Sequence, residues 1–467
     1  MLVTPRVVCV DNNKTELDQI HRALLQAGIP ALPILYDAAS WQETKFPSTA
    51  AVRLVFLDMN LIDGQAHNAG VITPAIAQVL ERIAPRGPYV LVFWSKFVEL
   101  ADDVIALLRK RYSDKCVPPI RHLALSKVEL HISEKETNWD KRLPELASRL
   151  MRIVDEVPVL QALVQWEARI VEASASTVAR INELAGGPDK WDTSAVERRL
   201  QQLLTWIAHE AVGAKAAGEA PAEAAEQGLI YALADDLSRS MYPRVYEEVW
   251  KNALPRVGKS NFKPDQNISA AALNEVFHVD TRGVKAKDRG AFVLLTDAVI
   301  GDDERCKAVF GDGVRQLREE FLNIEAIDES ALNDVLAKCE LGLVELSAAC
   351  DYAQRKKRSY RFALAALIPY ELAKVTHFET RTVAGVFPRD KKHDAIHRLP
   401  PLRIKGKDFV CKVNFRHVLG LPLASPLLGE AIFRIRVPLL DEIAYRCSMH
   451  LARPGIIAFR DHLAGDG

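Results

Sequence analysis

The stretch AVRLVFLDMNLIDG, residues 51–64, decides the fold of the first part of the chain. It opens with a run of β-branched, aromatic and other apolar side chains, residues 52–57, which only Arg53 interrupts. A run of this length between turn residues predicts a strand buried on both faces, as in the middle of a parallel sheet. The run delivers one carboxylate, Asp58, to the carboxyl end of that strand, where open α/β sheets place their sites. Asp58 is therefore the candidate reactive group, although an aspartate here is also typical of a simple cap on the following loop or helix.

The chain on either side of this stretch alternates between strand and helix patterns. The predicted strands cover residues 6–10, 31–36, 52–57, 89–94 and 122–125. The predicted helices cover residues 17–27, 72–83 and 100–112. Such alternation is typical of a doubly wound parallel sheet with right-handed crossovers. The sequence predicts an α/β domain over residues 1–135.

Polar side chains follow four of the five predicted strands. Asp11 and Asn12 follow the first strand, Asp58 the third, Ser95 the fourth and Lys127 the fifth. Parallel strands all end at one edge of their sheet, so these side chains are expected to form one group. In this order and at these strand ends, they resemble the site of the response-regulator receiver domain, over about residues 5–135.

The resemblance implies a flavodoxin-like strand order, 2-1-3-4-5, and a phosphoacceptor role for Asp58 with a histidine kinase as donor. The Mg²⁺ ligands that it implies are Asp11, Asn12, Asp58 and the backbone carbonyl of Asn60. Ser95 would bond the phosphoryl group, and Lys127 would pair with it. A carboxylate that attacks an anionic phosphoryl group needs this neutralisation, which a divalent cation and an ammonium group supply.

Two residues depart from the pattern of that family. Asn12 stands where the family often has a second acidic residue, which predicts weaker Mg²⁺ binding. Ala124 stands where the family often has an aromatic switch residue, which predicts an altered output. The alternative hypothesis is a pseudo-receiver, which keeps the fold as a docking surface for partners and takes no phosphate.

Residues 136–256 are predicted to form a helical region. Its helices are predicted at residues 143–154, 160–184, 196–212 and 220–241. The apolar stripe of the helix at 160–184 fits an ordinary bundle helix and also fits a coiled coil in a homodimer. The polar run at residues 257–269, with Gly and Pro, predicts a loop or domain junction.

Residues 270–467 are predicted to form an α+β domain that discloses no reaction. Its helices are predicted at residues 270–277, 314–321, 332–336 and 439–452. Its strands are predicted at residues 342–346, 360–368, 383–387, 409–415 and 431–437. An enzyme with Cys350, Asp351 or His278 in its site remains a third hypothesis. The zinc set considered there is Cys350, Asp351, His393, His397 and Cys411, although its spacing matches no zinc motif.

Two segments carry a second resemblance. VELSAACDYAQRKKR, residues 344–358, and FRIRVPLLDEIAYRCSMHLARPG, residues 433–455, are similar to segments of large bacterial proteins with an N-terminal receiver. A receiver with no recognised toxic effector resembles the third protein of Detocs, a defensive two-component system against phage. That resemblance implies a signalling regulator or phosphate sink, in a phosphorelay with a second receiver-containing effector as partner.

Composition limits the kinds of partner. Lys plus Arg and Asp plus Glu number 61 each, so no net field attracts the chain to nucleic acid or to an anionic membrane. No helix-turn-helix pattern supports DNA binding either. Seven scattered cysteines are typical of a reducing compartment, and neither a signal peptide nor a spanning segment is predicted. The sequence therefore predicts a cytoplasmic protein that acts without DNA or membrane.

Overall fold

The computed structural model describes residues 5–46, 51–62, 64, 66–128, 139–186, 191–239, 244–355, 358–376 and 395–452. The chain divides into two compact units. The first unit comprises Met1–Leu184 with Ala232–Phe262, and the second comprises Ala185–Tyr231 with Lys263–Gly467. The helical region predicted at residues 136–256 is therefore shared between both units.

The first unit is built on a five-stranded sheet. Its strands are β1 (Val7–Asp11), β2 (Leu32–Leu35), β3 (Leu54–Leu57), β4 (Val90–Ser95) and β5 (Arg121–Ser126). They lie in the order β2-β1-β3-β4-β5, and every neighbouring pair is parallel. All residues of β3 and β4 are buried, as expected for strands that are apolar up to the terminal Ser95 of β4. The predicted parallel α/β sheet is confirmed.

Helices cover both faces of this sheet. They are α1 (Lys14–Gln26), α2 (Ala69–Ile83), α3 (Ala101–Arg111) and α4 (Trp139–Asp155). Leu54 and Phe56 of β3 pack with residues of α1 and α4, whereas Val55 and Leu57 pack with residues of α2 and α3. Successive side chains of a strand point to opposite faces, so a central strand between two helical layers must be apolar throughout.

The connection from β2 to β3 departs from the predicted alternation of strand and helix. Its described residues, 36–46 and 51–53, form turns and irregular structure and no helix. The buried Trp41 holds this segment to the core, with its ring centroid 5.0 Å from that of Tyr36 and 4.9 Å from that of Phe46. An aromatic cluster therefore occupies this connection.

Two arginines attach a long helix, α5 (Pro158–Gly186), to the amino end of this sheet. Arg53, directly before β3, donates from Nε and Nη2 to Oε1 of Glu167 at 3.0 and 2.6 Å. Arg6, directly before β1, donates from Nη1 to the carbonyl of Val164 at 2.9 Å. The helical part of this unit also includes the end of α8 (Pro221–Arg239) and all of α9 (Arg244–Ala253).

The second unit contains an eight-stranded antiparallel sheet. Its strands are β6 (Val279–Asp280), β7 (Ala291–Leu295), β8 (Glu340–Glu345), β9 (Tyr360–Pro369), β10 (Ile396–Arg398), β11 (Leu402–Ile404), β12 (Lys407–Leu421) and β13 (Leu428–Ile435). The order is β10-β12-β9-β8-β7-β13-β6, with β11 paired to β12. The mixed α+β prediction is confirmed, but β6, β7, β10 and β11 were not predicted. The strand predicted at residues 383–387 lies outside the described residues.

Helices of the second unit flank this sheet and precede it in the chain. They are α6 (Thr193–Val212), α7 (Ala214–Glu219), the start of α8, α10 (Ala270–His278), α11 (Asp297–Ile300), α12 (Asp303–Phe310), α13 (Val314–Glu320), α14 (Leu332–Ala337), α15 (Ala349–Ala353) and α16 (Val437–Leu451). Gly342 of β8 allows close packing, because a Cβ atom there would lie 2.6 Å from the ring of Phe292. None of the helices in the described parts of either unit has the length and apolarity needed to cross a bilayer.

Candidate functional site

Four ionisable side chains meet at the carboxyl edge of the parallel sheet. Nζ of Lys127 donates to Oδ2 of Asp11 at 2.7 Å and to Oε2 of Glu16 at 2.6 Å. The same Nζ lies 3.0 Å from Oδ2 of Asp58. At most 6% of any of these four residues is exposed. The structure therefore places one buried ammonium group among three buried carboxylates, hereafter the acidic cluster (Asp11, Glu16 and Asp58).

The parallel register of the strands assembles this group. Asp11 ends β1, and Asp58 follows β3, the neighbour of β1. The backbone N–H of Asp58 donates to the carbonyl of Val10 at 3.0 Å, which continues the ladder up to the carboxylate. On the other side, the N–H of Lys127 donates to the carbonyl of Ser95 at 3.0 Å. Side chains predicted from three separate strand ends thus lie at one site.

Glu16 is the member of the site that the sequence analysis missed. It lies in the first turn of α1, where the side chain of Asn13 caps the helix by accepting from the N–H of Glu16 at 3.2 Å. An Asn followed three residues later by Glu is a helix-start signal, in which the Glu normally bonds back to the cap residue's N–H. Here Asp11 Oδ1 accepts that N–H at 2.8 Å, and Glu16 binds Lys127 and Lys96, the latter at 2.9 Å.

Three further predicted residues lie around the acidic cluster. Asn12 is partly buried at the end of β1. Ser95 is fully buried at the end of β4, where its Oγ accepts from the N–H of Phe97 at 3.4 Å. Asn60 donates its N–H to Oδ1 of Asp58 at 3.3 Å. The buried Oδ1 of Asn60 has no hydrogen-bond partner in the described part of the chain, so an oxygen acceptor remains available two residues from Asp58.

Burial and charge act against each other in this group. Burial raises the pKa of Asp11 to about 7; the ammonium group of Lys127 opposes this rise, and the carboxylate of Asp58 adds to it. Burial also disfavours charge on Glu16, but Lys127 and Lys96 outweigh it and hold the pKa of Glu16 below its ordinary value. Burial alone would lower the pKa of Lys127, yet the three carboxylates raise it instead. Lys127 is therefore held in its charged form.

The acidic cluster has the donor chemistry of a site for a hard divalent cation. One ligand oxygen from each of its three carboxylates lies within 4.8 Å of the others. Three carboxylates face two ammonium groups, and one of these, on Lys96, has a side chain that is 50% exposed. A buried excess of carboxylate oxygens is what such a cation requires in proteins.

The zinc set considered in the C-terminal half is wrong for its described members. Cys350, Asp351, His397 and Cys411 belong to no group of three metal-ligating side chains among the described residues, and His393 lies outside them. Cys411 is buried in β12 and His397 in β10, where burial raises the pKa of the thiol and lowers that of the imidazole to about 4. Directly after His278, which the third hypothesis placed in an enzyme site, residues 279–280 form β6, and Nε of Arg282 lies 2.9 Å from Oδ1 of Asp280.

Comparison with known proteins adds little to this geometry. No family model matches the chain, and no curated protein matches it. Among solved structures, the chain is similar to a fusion that contains the yeast Spc42 trimeric coiled coil, amino acids 181–211. The identity is 17%, the TM-score is 0.17, and the match covers 35% of this chain and 93% of that one. A likeness at this TM-score carries no argument, so the function must be inferred from the site itself.

Proposed function

We propose that the first unit is a receiver domain of flavodoxin-like fold, which accepts a phosphoryl group on Asp58 from a histidine kinase. The observation that carries this proposal is the position of Lys127, whose Nζ lies 3.0 Å from Asp58 and 2.7 Å from Asp11. The strand order β2-β1-β3-β4-β5, with these residues at the strand ends, supports it. An ammonium group beside a carboxylate nucleophile supplies the neutralisation that phosphoryl transfer needs.

The chemistry assigns a separate task to each side chain. A carboxylate oxygen of Asp58 attacks the phosphorus of a phosphohistidine; the P–N bond breaks, and an acyl phosphate forms as the imidazole leaves. Lys127 then pairs with the phosphoryl oxygens, and the hydroxyl of Ser95 donates a hydrogen bond to one of them. Mg²⁺ bound by Asp11, Asp58 and the carbonyl of Asn60 would neutralise phosphoryl charge when present. Burial of the site keeps water from the ion pairs and strengthens them.

Glu16 modifies this assignment. Its carboxylate supplies the second acidic group that Asn12 lacks, from the first turn of a helix instead of from the strand end. In the unphosphorylated chain Glu16 also holds Lys127 at 2.6 Å. Phosphorylation of Asp58 therefore requires Lys127 to exchange part of its contact with Glu16 for the phosphoryl group, while Lys96 continues to neutralise Glu16.

The same closed group of charges favours a second candidate, a pseudo-receiver that binds partners without phosphate. The side chain of Asp58 is only 8% exposed, and Lys127 is already paired with three carboxylates. In either version we place the chain in the cytoplasm, in a two-component pathway with a second receiver-containing effector. Anti-phage defence as the setting, with the chain as a phosphate sink, rests on the resemblance of residues 344–358 and 433–455 alone.

Mass spectrometry of the full chain after incubation with acetyl phosphate and Mg²⁺ tests the phosphoacceptor proposal. The expected result is a gain of one phosphoryl group that hydroxylamine removes and that Asp58→Asn abolishes. Asp37→Asn is the matched control, since Asp37 also follows a strand of the same sheet but is exposed. Labelling absent with both acetyl phosphate and a cognate kinase, or unchanged in Asp58→Asn, would refute the proposal.

A further inference from the structure

A second group of metal-ligating side chains lies in the second unit, on three different elements. Glu320 ends α13, Asp312 precedes that helix, and His417 lies in β12. One ligand atom from each lies within 4.8 Å of the other two. Nε2 of His417 lies 3.1 Å from Oε2 and 3.3 Å from Oε1 of Glu320. These three residues, hereafter the imidazole cluster, converge although they are up to 105 positions apart in the chain (417 − 312).

A bulge in β12 brings His417 to this position. The pairing of β12 with β9 shifts between Asn414, opposite Leu364, and Val418, opposite Ala363. Adjacent residues of β9 thus face residues of β12 that are four apart, and His417 lies in the extra segment. Bulges change the direction of side chains and are frequent beside functional sites. The local irregularity of this long strand therefore serves to place an imidazole beside two carboxylates.

A buried amide fixes the central carboxylate of the imidazole cluster. Asn414 is fully buried and donates from Nδ2 to Oε2 of Glu320. Its own Oδ1 accepts from the N–H of Arg416 at 3.1 Å, which fixes the orientation of the amide. Ligating carboxylates in metal sites are held by such hydrogen bonds from outside the ligand set. Glu320 is thus oriented independently of any ion.

One carboxylate of the imidazole cluster, that of Asp312, lacks a partner among the described residues. Asp312 makes no hydrogen bond or ion pair with any of the described residues. Its carboxylate nevertheless lies within 4.8 Å of that of Glu320, whose own charge is offset by hydrogen bonds from His417 and Asn414 and by the positive charge of Arg416. Two carboxylates at this separation repel each other, and a cation between them would remove the repulsion.

We propose that Asp312, Glu320 and His417 bind a Zn²⁺ ion. Two carboxylate oxygens and one imidazole nitrogen are a ligand set for Zn²⁺, whereas Mg²⁺ and Ca²⁺ prefer oxygen alone. Binding replaces the hydrogen on Nε2 of His417 by the metal, and the proton passes to solvent. Three protein ligands leave a fourth position for water or a ligand atom, which is typical of zinc sites with an open coordination position. The site is separate from the acidic cluster and does not depend on its function.

Calorimetric titration of the full chain with Zn²⁺ tests this proposal. Excess Mg²⁺ is kept in the buffer, because it competes for the all-oxygen acidic cluster and not for an imidazole site. The expected result is one bound Zn²⁺ per chain, with affinity reduced by at least about tenfold in Asp312→Asn and in His417→Gln. His122→Gln is the matched control, since Nε2 of His122 lies 2.7 Å from a single carboxylate, that of Asp102. The affinity of the His122→Gln variant for Zn²⁺ should equal that of the wild type.

Co²⁺ provides a second measurement that does not depend on affinity alone. The visible spectrum of bound Co²⁺ reports its ligands and should change in His417→Gln but not in His122→Gln. Should His417→Gln fail to fold by circular dichroism, Asp312→Asn decides by the same two measurements. The proposal is overturned if the wild-type chain binds no Zn²⁺ under these conditions, or if Asp312→Asn binds it as tightly as the wild type.

Discussion

Replacing Lys127 by Met tests whether its ammonium group stabilises the acidic cluster. Three carboxylates lie between 2.6 and 3.0 Å from Nζ, and the side chain is 1% exposed. At an effective dielectric constant near 20, one such pair at 4 Å is worth about 4 kcal/mol, although carboxylate repulsion and desolvation oppose the sum. Removing one partner of a buried ion pair costs about 3–5 kcal/mol. Because Asp11 and Asp58 lose this ammonium partner and Glu16 keeps only the exposed Lys96, we expect a loss of about 5 kcal/mol for the metal-free first unit.

Hydrogen-exchange mass spectrometry in increasing urea, at about pH 8 and without divalent cations, measures this loss. Peptides that cover β3 and β4 report the opening of the first unit separately from the second. Lys96→Met is the matched control, because Lys96 binds one carboxylate of the same cluster but has a side chain that is 50% exposed. A pair of this exposure contributes about 0–1 kcal/mol. Lys127→Met should therefore lower the unfolding free energy of the first unit severalfold more than Lys96→Met does.

Acidification provides an internal check on the mechanism. Burial raises the pKa of Asp11 to about 7 in the wild type, so near pH 5.5 that carboxyl is largely protonated and one negative charge is already absent. The penalty of Lys127→Met should then be smaller than at pH 8. The electrostatic explanation is refuted if Lys127→Met costs no more than Lys96→Met at pH 8, or if its cost is the same at both values of pH.

Two further predictions concern pH and packing. The folded-state pKa of Asp11 is raised from 3.8 to about 7, so its stabilisation is full below pH 3.8 and is lost as the pH rises through 7. Urea unfolding of the metal-free wild type should show a decrease of about 2–4 kcal/mol over this range, and Asp11→Asn should flatten the profile. Gly342→Ala should destabilise the second unit by about 1–3 kcal/mol, since the new Cβ would lie 2.6 Å from the ring of Phe292. Gly218→Ala, in α7 with no atom within 4 Å of the new Cβ, should be neutral or stabilising, and thermal unfolding of both glycine variants beside the wild type measures the two effects.

Long apolar runs and their ends made the first unit predictable from sequence. β3 and β4 are buried on both faces, so their pattern owes little to the rest of the chain. A parallel sheet brings the ends of its strands to one edge, which is why Asp11, Asp58 and Lys127 were identified together. The β2–β3 connection was less predictable, because the burial of Trp41 depends on contacts with a helix far along the chain.

Glu16 shows why part of the site was missed. Glu16 lies three residues after Asn13, and this spacing alone predicts that its carboxylate caps the start of α1. Whether that carboxylate instead turns to Lys127 depends on Asp11, which takes the N–H that Glu16 would otherwise bind. Such competition between two acceptors for one donor is a tertiary property. A pattern of residue types along the sequence does not show which of the two carboxylates accepts this hydrogen bond.

The imidazole cluster was missed for a related reason. His417 lies in a strand whose alternation of side chains is interrupted by the bulge after Asn414. The strand predicted at residues 409–415 ended before His417, and the regular alternation of a strand gives no sign of a bulge that places this side chain beside two carboxylates. The strand β7 was missed although residues 291–295 are apolar, since a short apolar run fits a strand and a buried helical turn equally well.

The attachment of Arg53 to Glu167 gives β3 a mechanical role. Asp58 and Arg53 lie at opposite ends of this strand, five residues or about 17 Å apart along an extended backbone. No loop separates them, and neighbouring strands clamp β3 on both sides. In mechanical terms β3 is a rigid element, with Asp58 at one end and the attachment to α5 at the other. A displacement at Asp58 would therefore reach the long helix as a rigid movement, without the flexible surface loops that usually carry such changes.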